Sequence, residues 1–197
     1  MRRVRIISVM NSHKGKLVII SAPSGTGKGT VISRLLESCP ECVFSVSATT
    51  RTPRPGEKNG IEYFFLTHER FREMISSDDF LEYAEYIGEF YGTPSKPVNE
   101  YLDSGKTVIL DIEVQGAKQV MLKKPDAITI FIVPPSMKEL ENRLRRRGTD
   151  SEEKLAARLK RANQELEEQN HYDHIVVNDS VYRAANEIMK IVNRKEL

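Results

Sequence analysis

Residues 22–30, Ala22-Pro23-Ser24-Gly25-Thr26-Gly27-Lys28-Gly29-Thr30, place glycines and a lysine in the order that cradles nucleotide phosphates. They follow the apolar run Leu17-Val18-Ile19-Ile20, so a strand hands the chain to a tight loop and a helix opens near Lys28. Small residues let successive backbone N–H groups point inward, and the helix adds its positive end. The Lys28 ammonium would reach the β- and γ-phosphates of a triphosphate. The run departs from G-x-x-x-x-G-K-[ST] twice: Ala22 stands at the first glycine, and Gly29 follows the lysine, displacing the hydroxyl to Thr30. Ala22 precedes the tightest part of the loop, where a methyl group fits. Gly29 lacks the oxygen that usually meets magnesium, so Mg2+ is expected on Thr30, the phosphates and water.

A second constellation begins at Ser45-Val46-Ser47-Ala48-Thr49-Thr50-Arg51-Thr52-Pro53-Arg54-Pro55-Gly56-Glu57. Arg51 and Arg54 lie three apart on a stretch stiffened by two prolines, and two planar guanidinium forks can clasp one phosphate from two sides. Downstream come Asn59-Gly60, Tyr63, Glu82 and Glu89-Phe90-Tyr91-Gly92-Thr93. A tyrosine hydroxyl adds a neutral donor, and a glutamate beside hydroxyls suits guanine, whose N1–H and N2–H₂ are donors where adenine offers none in that arrangement. Taken singly, each of these residues reads equally well as a solvated surface group or as part of a core.

Composition narrows the class. The chain has 197 residues, enough to bury a proper core in one domain, and Lys+Arg 30 against Asp+Glu 28 leaves a net charge of +2, which argues against a dedicated nucleic-acid surface. The sign is uneven: no acid precedes Glu37, while Lys14, Lys16, Lys28 and Arg34 all do, so the region around the loop should attract phosphate. No apolar run approaches the ~18 residues of a membrane span, and Arg5 interrupts 4–10, so a cytoplasmic protein without a membrane segment is expected. Residues 1–15 read as a flexible extension. Cys39 and Cys42 have C-x-x-C spacing, and His171 and His174 form a close pair. Zinc is conceivable on these four, but Pro40 between the cysteines and the long sequence gap favour free thiols.

The elements that must position these groups alternate along the chain. Thr107-Val108-Ile109-Leu110-Asp111, 127–133 and Ile175-Val176-Val177 read as buried strands of a parallel sheet. Helices are expected over 113–123, from Ser136 with Glu139 as a capping box, and over 180–192. Leu155, Leu159, Ala162 and Leu166 mark one face of a long charged helix whose start Asp150 and Glu153 could cap. This is a doubly wound α/β core. Residues 47–93 break the alternation with β-rich segments such as Tyr63-Phe64-Phe65-Leu66 and a short helix around 71–75, and so form an insert.

Taken together, the motifs resemble those of the guanylate kinase family over nearly the whole chain, from 16 to about 194. They occur in order: 21–28, 47–54, Asn59-Gly60 with Tyr63, 89–93, Ile109-Leu110-Asp111-Ile112-Glu113-Val114-Gln115-Gly116, Arg146-Arg147-Gly148-Thr149 and Val177-Asn178-Asp179. The resemblance implies a P-loop nucleoside-monophosphate kinase fold, a parallel sheet flanked by helices, with core 16–46, 94–139 and 167–197, a GMP-binding insert 47–93 and a helical lid 140–166. It implies transfer of the γ-phosphate of ATP to GMP or dGMP with Mg2+, by a monomer or small homo-oligomer. By position, Ser47, Arg51, Arg54, Tyr63, Glu82, Tyr91 and Thr93 would hold GMP, the arginines and tyrosines on its phosphate and Glu82, Ser47 and Thr93 on the base. Asp111 would organise magnesium through water or meet the guanine edge. Arg143, Arg147 and Arg158 would close over the phosphates, with Asn178 against adenine and Arg145 and Arg146 solvated.

Three other readings share parts of this pattern. A ribose bisphosphate phosphokinase would lack the carboxylate-plus-hydroxyl reader, a scaffold interaction module would lack Lys28, and a plain P-loop ATPase or GTPase would need no arginine clasp.

Overall fold

The computed structural model describes residues 14–146, 148 and 151–194. Residues 1–13 of the extension read over 1–15, Arg147 of the lid and the cap at Asp150 lie outside these residues. Gly15, read as part of that extension, donates its N–H to Leu102 O at 2.8 Å.

Five parallel strands form the central sheet: β1 (Leu17–Ser21), β2 (Cys42–Phe44), β7 (Thr107–Asp111), β8 (Ile128–Val133) and β9 (His174–Val177), ordered β2-β7-β1-β8-β9. Every residue of β1 is buried, as a strand covered on both faces requires. Alternation divides its side chains between two cores. Val18 and Ile20 pack with Val31, Ile32 and Leu35 of α1 (Lys28–Ser38) and with Ala184, Ala185, Ile188 and Ile191 of α7 (Val181–Val192). Leu17 and Ile19 face Val98 and Leu102 of α3 (Ser95–Asp103) and Ala117 and Val120 of α4 (Val114–Lys123). Each valine, leucine or isoleucine among them contributes roughly 1.5–3 kcal/mol by leaving water, and each alanine less.

Residues 48–94 build a second sheet, ordered β4-β3-β6-β5, from β3 (Ala48–Thr49), β4 (Phe64–Phe65), β5 (Phe80–Tyr86) and β6 (Glu89–Pro94). Helix α2 (His68–Ser76) closes over it, and the Phe71 ring stacks at 4.3 Å on Phe80 and 5.3 Å on Phe90. Helices α5 (Met137–Arg146) and α6 (Glu152–Glu167) join through Leu140, Leu144, Leu155 and Ala162, a third apolar cluster separate from the sheet cores. A fourth cluster lies inside the second sheet. No helix among the described residues is long and apolar enough to cross a membrane.

Two expectations need correction. The cap of α6 is Ser151, whose extended backbone directs its hydroxyl to accept from Lys154 N, in place of Asp150 and Glu153. Cys39 and Cys42 are joined by a disulfide and are not free thiols. The turn from the end of α1 into β2 holds their Cα atoms 5.3 Å apart, inside the span a disulfide bridges, and both side chains sit in the α1 core. Bonded to each other, they offer no thiolate to zinc.

Candidate active site

The loop between β1 and α1 takes its shape from Gly25 (φ 94°) and Gly27 (φ 92°), both in the left-handed region that excludes most side chains. Each also faces a close neighbour. A Cβ at Gly25 would come within 2.6 Å of Leu144 Cδ2 on α5, and one at Gly27 within 2.8 Å of Asn178 Nδ2. The lid helix and the end of β9 therefore seat directly on the loop. Pro23 O accepts from Thr26 N at 3.2 Å, Ala22 packs on the α1 core, and Ser24, Gly29 and Thr30 are exposed.

Lys28 opens α1, and its Nζ lies 2.7 Å from Asp111 Oδ1 and 3.2 Å from Ile112 O. The parallel pairing of β7 with β1 brings that acid beside the loop. An ammonium has three N–H donors, so this grip leaves one directed by neither partner.

Arg143 donates from Nη1 to Thr26 O (3.1 Å), from Nη2 to Asn178 O (2.9 Å) and from Nε to Glu139 Oε1 (2.9 Å). Buried Asn178 donates its Nδ2 to the same Thr26 O at 2.7 Å, a bond that does not use its Oδ1. Arg158 reaches back from α6, its Nη2 donating to Ser24 Oγ at 2.7 Å. A cleft of about 300 Å³ opens here between Gly25, Gly27, Thr30, Arg143, Arg146 and Asn178. Arg146, expected to be merely solvated, lines it, as do Asp179 and Val181, which sequence reasoning passed over. Arg145, two residues from Arg143, has other partners: it pairs with Glu141 at 2.9 Å and with Glu152, tying α5 to α6.

On the second sheet, Arg51 Nη2 donates to Glu57 Oε1 and Nη1 to Thr52 O, at 2.9 and 2.8 Å, while its guanidinium lies over the Tyr63 ring at 5.5 Å. Glu57 Oε2 accepts from Arg54 N at 2.7 Å, so one carboxylate spans both arginines. The hydrogen bond from Arg51 holds the Glu57 carboxyl below the usual range. Tyr63 meets Tyr91 edge-on at 6.1 Å. Burial, the Tyr91 hydroxyl and the Asp111 charge raise the Tyr63 phenol, against Arg51. Ser47 belongs to the same sheet edge, its carbonyl accepting from Phe64 N at 2.8 Å.

Glu82 is 7% exposed, and Thr93 Oγ1 donates to its Oε1 at 2.6 Å. The antiparallel pairing of β5 with β6 sets Glu82 opposite Thr93 at a register shift. Burial raises its carboxyl, and hydrogen bonds from the Thr93 hydroxyl and N–H oppose that rise. The segment 111–116 runs from Asp111 at the phosphate loop to Gly116, whose neighbour across the gap is Glu82. A short stretch thus links the two constellations.

A parallel sheet with a phosphate loop at the end of its central strand, an acid beside the lysine, and a second sheet bearing a buried carboxylate define a P-loop phosphotransferase. The guanylate kinase family model matches residues 14–195. A guanylate kinase of Trichodesmium erythraeum is 53% identical over 178 residues, covering 90% of this chain and 96% of its own length. One from Synechocystis sp. is 49% identical over 185 residues, 94% of this chain and 97% of its own. A crystal structure of guanylate kinase from Anaplasma phagocytophilum superposes with a TM-score of 0.72 at 36% identity, covering 91% of this chain and 85% of that one. The chain belongs to the guanylate kinase family.

Proposed function

We infer that the chain transfers the γ-phosphoryl group of ATP to GMP, giving ADP and GDP, and so returns GMP to the purine nucleotide pool. The observation that carries this most directly is the buried Glu82–Thr93 pair at 2.6 Å: a carboxylate kept from water and held by one hydroxyl suits a ligand edge made of donors, which is what guanine offers. In this reading 47–93 takes GMP, Arg51, Arg54, Tyr63 and Tyr91 on its phosphate and Ser47, Glu82 and Thr93 on its base. The core holds ATP through 22–30 and Asn178, and 140–166 is the lid that brings Arg143, Arg147 and Arg158 toward the phosphates.

The reaction needs no general base. The attacking atom is a phosphate oxygen already ionised at neutral pH, so the residues need only align it and offset the negative charge drawn together. Lys28 holds the β- and γ-phosphates, and the loop N–H groups and the positive end of α1 hold their oxygens. Arg51 and Arg54 orient the acceptor phosphate, while α5 and α6 exclude water that would otherwise take the phosphoryl group.

The residues present suit Mg2+. A Cβ at Gly29 would meet nothing within 4 Å, which leaves room for a hydrated ion beside Thr30, and Asp111 is close enough to Lys28 to hold a water of its shell. Among the described residues no three His, Cys, Asp or Glu side chains converge, so the ion would rest chiefly on phosphates and water. Bound there, it would supply positive charge against the anionic phosphates.

A coupled assay for ADP release, run with GMP, dGMP, AMP and ribose bisphosphate as acceptors, tests the assignment. GMP and dGMP should turn over, and chelating Mg2+ should stop both; turnover of ribose bisphosphate in preference to GMP would replace the reading. Arg51→Met should raise the GMP KM by on the order of ten- to a hundredfold while leaving the ATP KM near its starting value, since a charge-assisted bond to phosphate contributes about 1.5–3 kcal/mol. Equal losses on both substrates would place Arg51 elsewhere.

A further inference from the structure

We propose that Gly116 is a positioning residue for base recognition: its missing side chain is the space in which the Glu82 carboxylate takes up its guanine-reading orientation. This rests on the assignment of Glu82 to the base.

Gly116 lies in the first turn of α4, and its backbone is ordinary: it is absent from the residues with positive φ. Nothing in the chain direction requires glycine there, and alanine is the better helix former. What requires it is across the gap. A Cβ at 116 would stand 2.5 Å from Glu82 Oε2, 3.0 Å from its Cδ and 3.3 Å from its Cγ, and these are its three nearest atoms. A methyl group there conflicts with the carboxylate of Glu82 before anything else.

The conflict cannot be relieved by sliding β5 away, because α4 holds that strand at two further points along the same face. Gln119 pairs with the Tyr83 backbone in both directions, Tyr83 N donating to Oε1 at 3.2 Å and Nε2 donating to Tyr83 O at 2.9 Å. Lys123 Nζ donates to Phe80 O at 2.8 Å and to Asp78 Oδ1 at 2.6 Å. Residues 116, 119 and 123 share one helix face, so β5 is fixed on both sides of Glu82. The other carboxylate oxygen is held by Thr93. With strand and one oxygen fixed, an added methyl group must rotate the carboxylate, the flexible end of the side chain, and so turn its lone pairs away from guanine N1–H and N2–H₂. The fold survives this and the reader does not.

Steady-state kinetics on Gly116→Ala, Glu82→Ala and the double variant decide the matter. Gly116→Ala should raise the GMP KM about tenfold or more, with kcat at saturating GMP and the ATP KM near wild type, because contacts to the base are uniform through the reaction. Glu82→Ala removes all three of the atoms nearest the new methyl group, so adding Gly116→Ala to it should raise the GMP KM no further. If Gly116→Ala leaves the GMP KM unchanged while Glu82→Ala raises it, Gly116 does not position the reader. The same holds if the two effects simply add. If Glu82→Ala leaves the GMP KM unchanged, the assignment of Glu82 fails and takes this inference with it. Should Gly116→Ala prove insoluble, a soluble double variant would support the conflict with Glu82, and an insoluble one would overturn it.

Discussion

Lys28→Met should lower kcat by on the order of 10²–10³, the loss that follows removal of one preorganised group facing charge in a transition state. Methionine keeps an unbranched apolar stem as far as Cε and deletes the ammonium, with its charge and its N–H donors. The loop should keep its shape, because Gly25, Gly27 and the bonds from Arg143 and Asn178 to Thr26 O set it, and none of these passes through the ammonium. The lost partner is Asp111, and with Lys28 and Asp111 side chains 18% and 27% exposed their pair is worth only about 1 kcal/mol to the fold. GMP affinity by calorimetry should therefore stay near wild type, since its proposed contacts lie on the second sheet. Unchanged turnover would remove Lys28 from the chemistry. A parallel loss of GMP affinity would mean that the two sites are not separable as described.

The sequence made the phosphate side legible because its requirements are local. A strand, a tight glycine loop and a helix occupy consecutive residues, and β1, the loop and α1 appear where the run 17–30 puts them. The buried strands β7 and β8 were equally plain as apolar runs. The run 175–177 is a strand too, but it was expected to be buried and is not: β9 lies at the sheet edge, where Ile175 and Val177 are exposed and only Val176 is buried. Helix α3 was not, because Pro94 and Pro97 give its start the look of a loop, although proline is tolerated in a first helical turn. The short edge strand β2 carries too few residues to show a period. What lay beyond the sequence was which partners meet across it. Glu57 meets the Arg51 guanidinium and the Arg54 backbone N–H within a span of six residues, but the grip of Arg143 on Thr26 and Asn178 joins residues more than thirty positions apart. The contact of Gly116 with Glu82 is likewise a fact of distance, for which residue type gives no signal. The disulfide is different: its C-x-x-C spacing was visible, and the expectation of free thiols was the error.

Base choice gives the other large effect. In the proposed reading the Glu82 carboxylate would accept from guanine N1–H and N2–H₂, whereas AMP would present an N1 acceptor and no amino group at C2, so two acceptors would face each other. Leaving a buried group unpaired in this way costs about 1–3 kcal/mol, and more when it is charged, so AMP should be rejected by at least about two orders of magnitude in kcat/KM. Glu82→Gln should erase much of that gap, because a flipped amide can donate to adenine N1. The loss on GMP should fall in KM, the base being remote from the transferred group. An unchanged GMP KM and an unchanged GMP-to-AMP ratio would together show that Glu82 does not read guanine. A second, independent readout follows from burial. The folded protein holds the Glu82 carboxyl above its ordinary value, so the folded state binds that proton more tightly than the unfolded chain. The stability this gives the wild type is present below the ordinary carboxylate value and is lost as pH rises through the raised one. Glutamine has no such titration. Glu82→Gln should therefore melt at a higher temperature than wild type at neutral pH, by a margin that shrinks on acidification. The wild-type GMP KM should rise over the same acid range as the carboxylate takes up its proton, and that rise should be absent from Glu82→Gln. A melting difference that is flat with pH would mean that Glu82 is not the buried charge whose cost base recognition sustains.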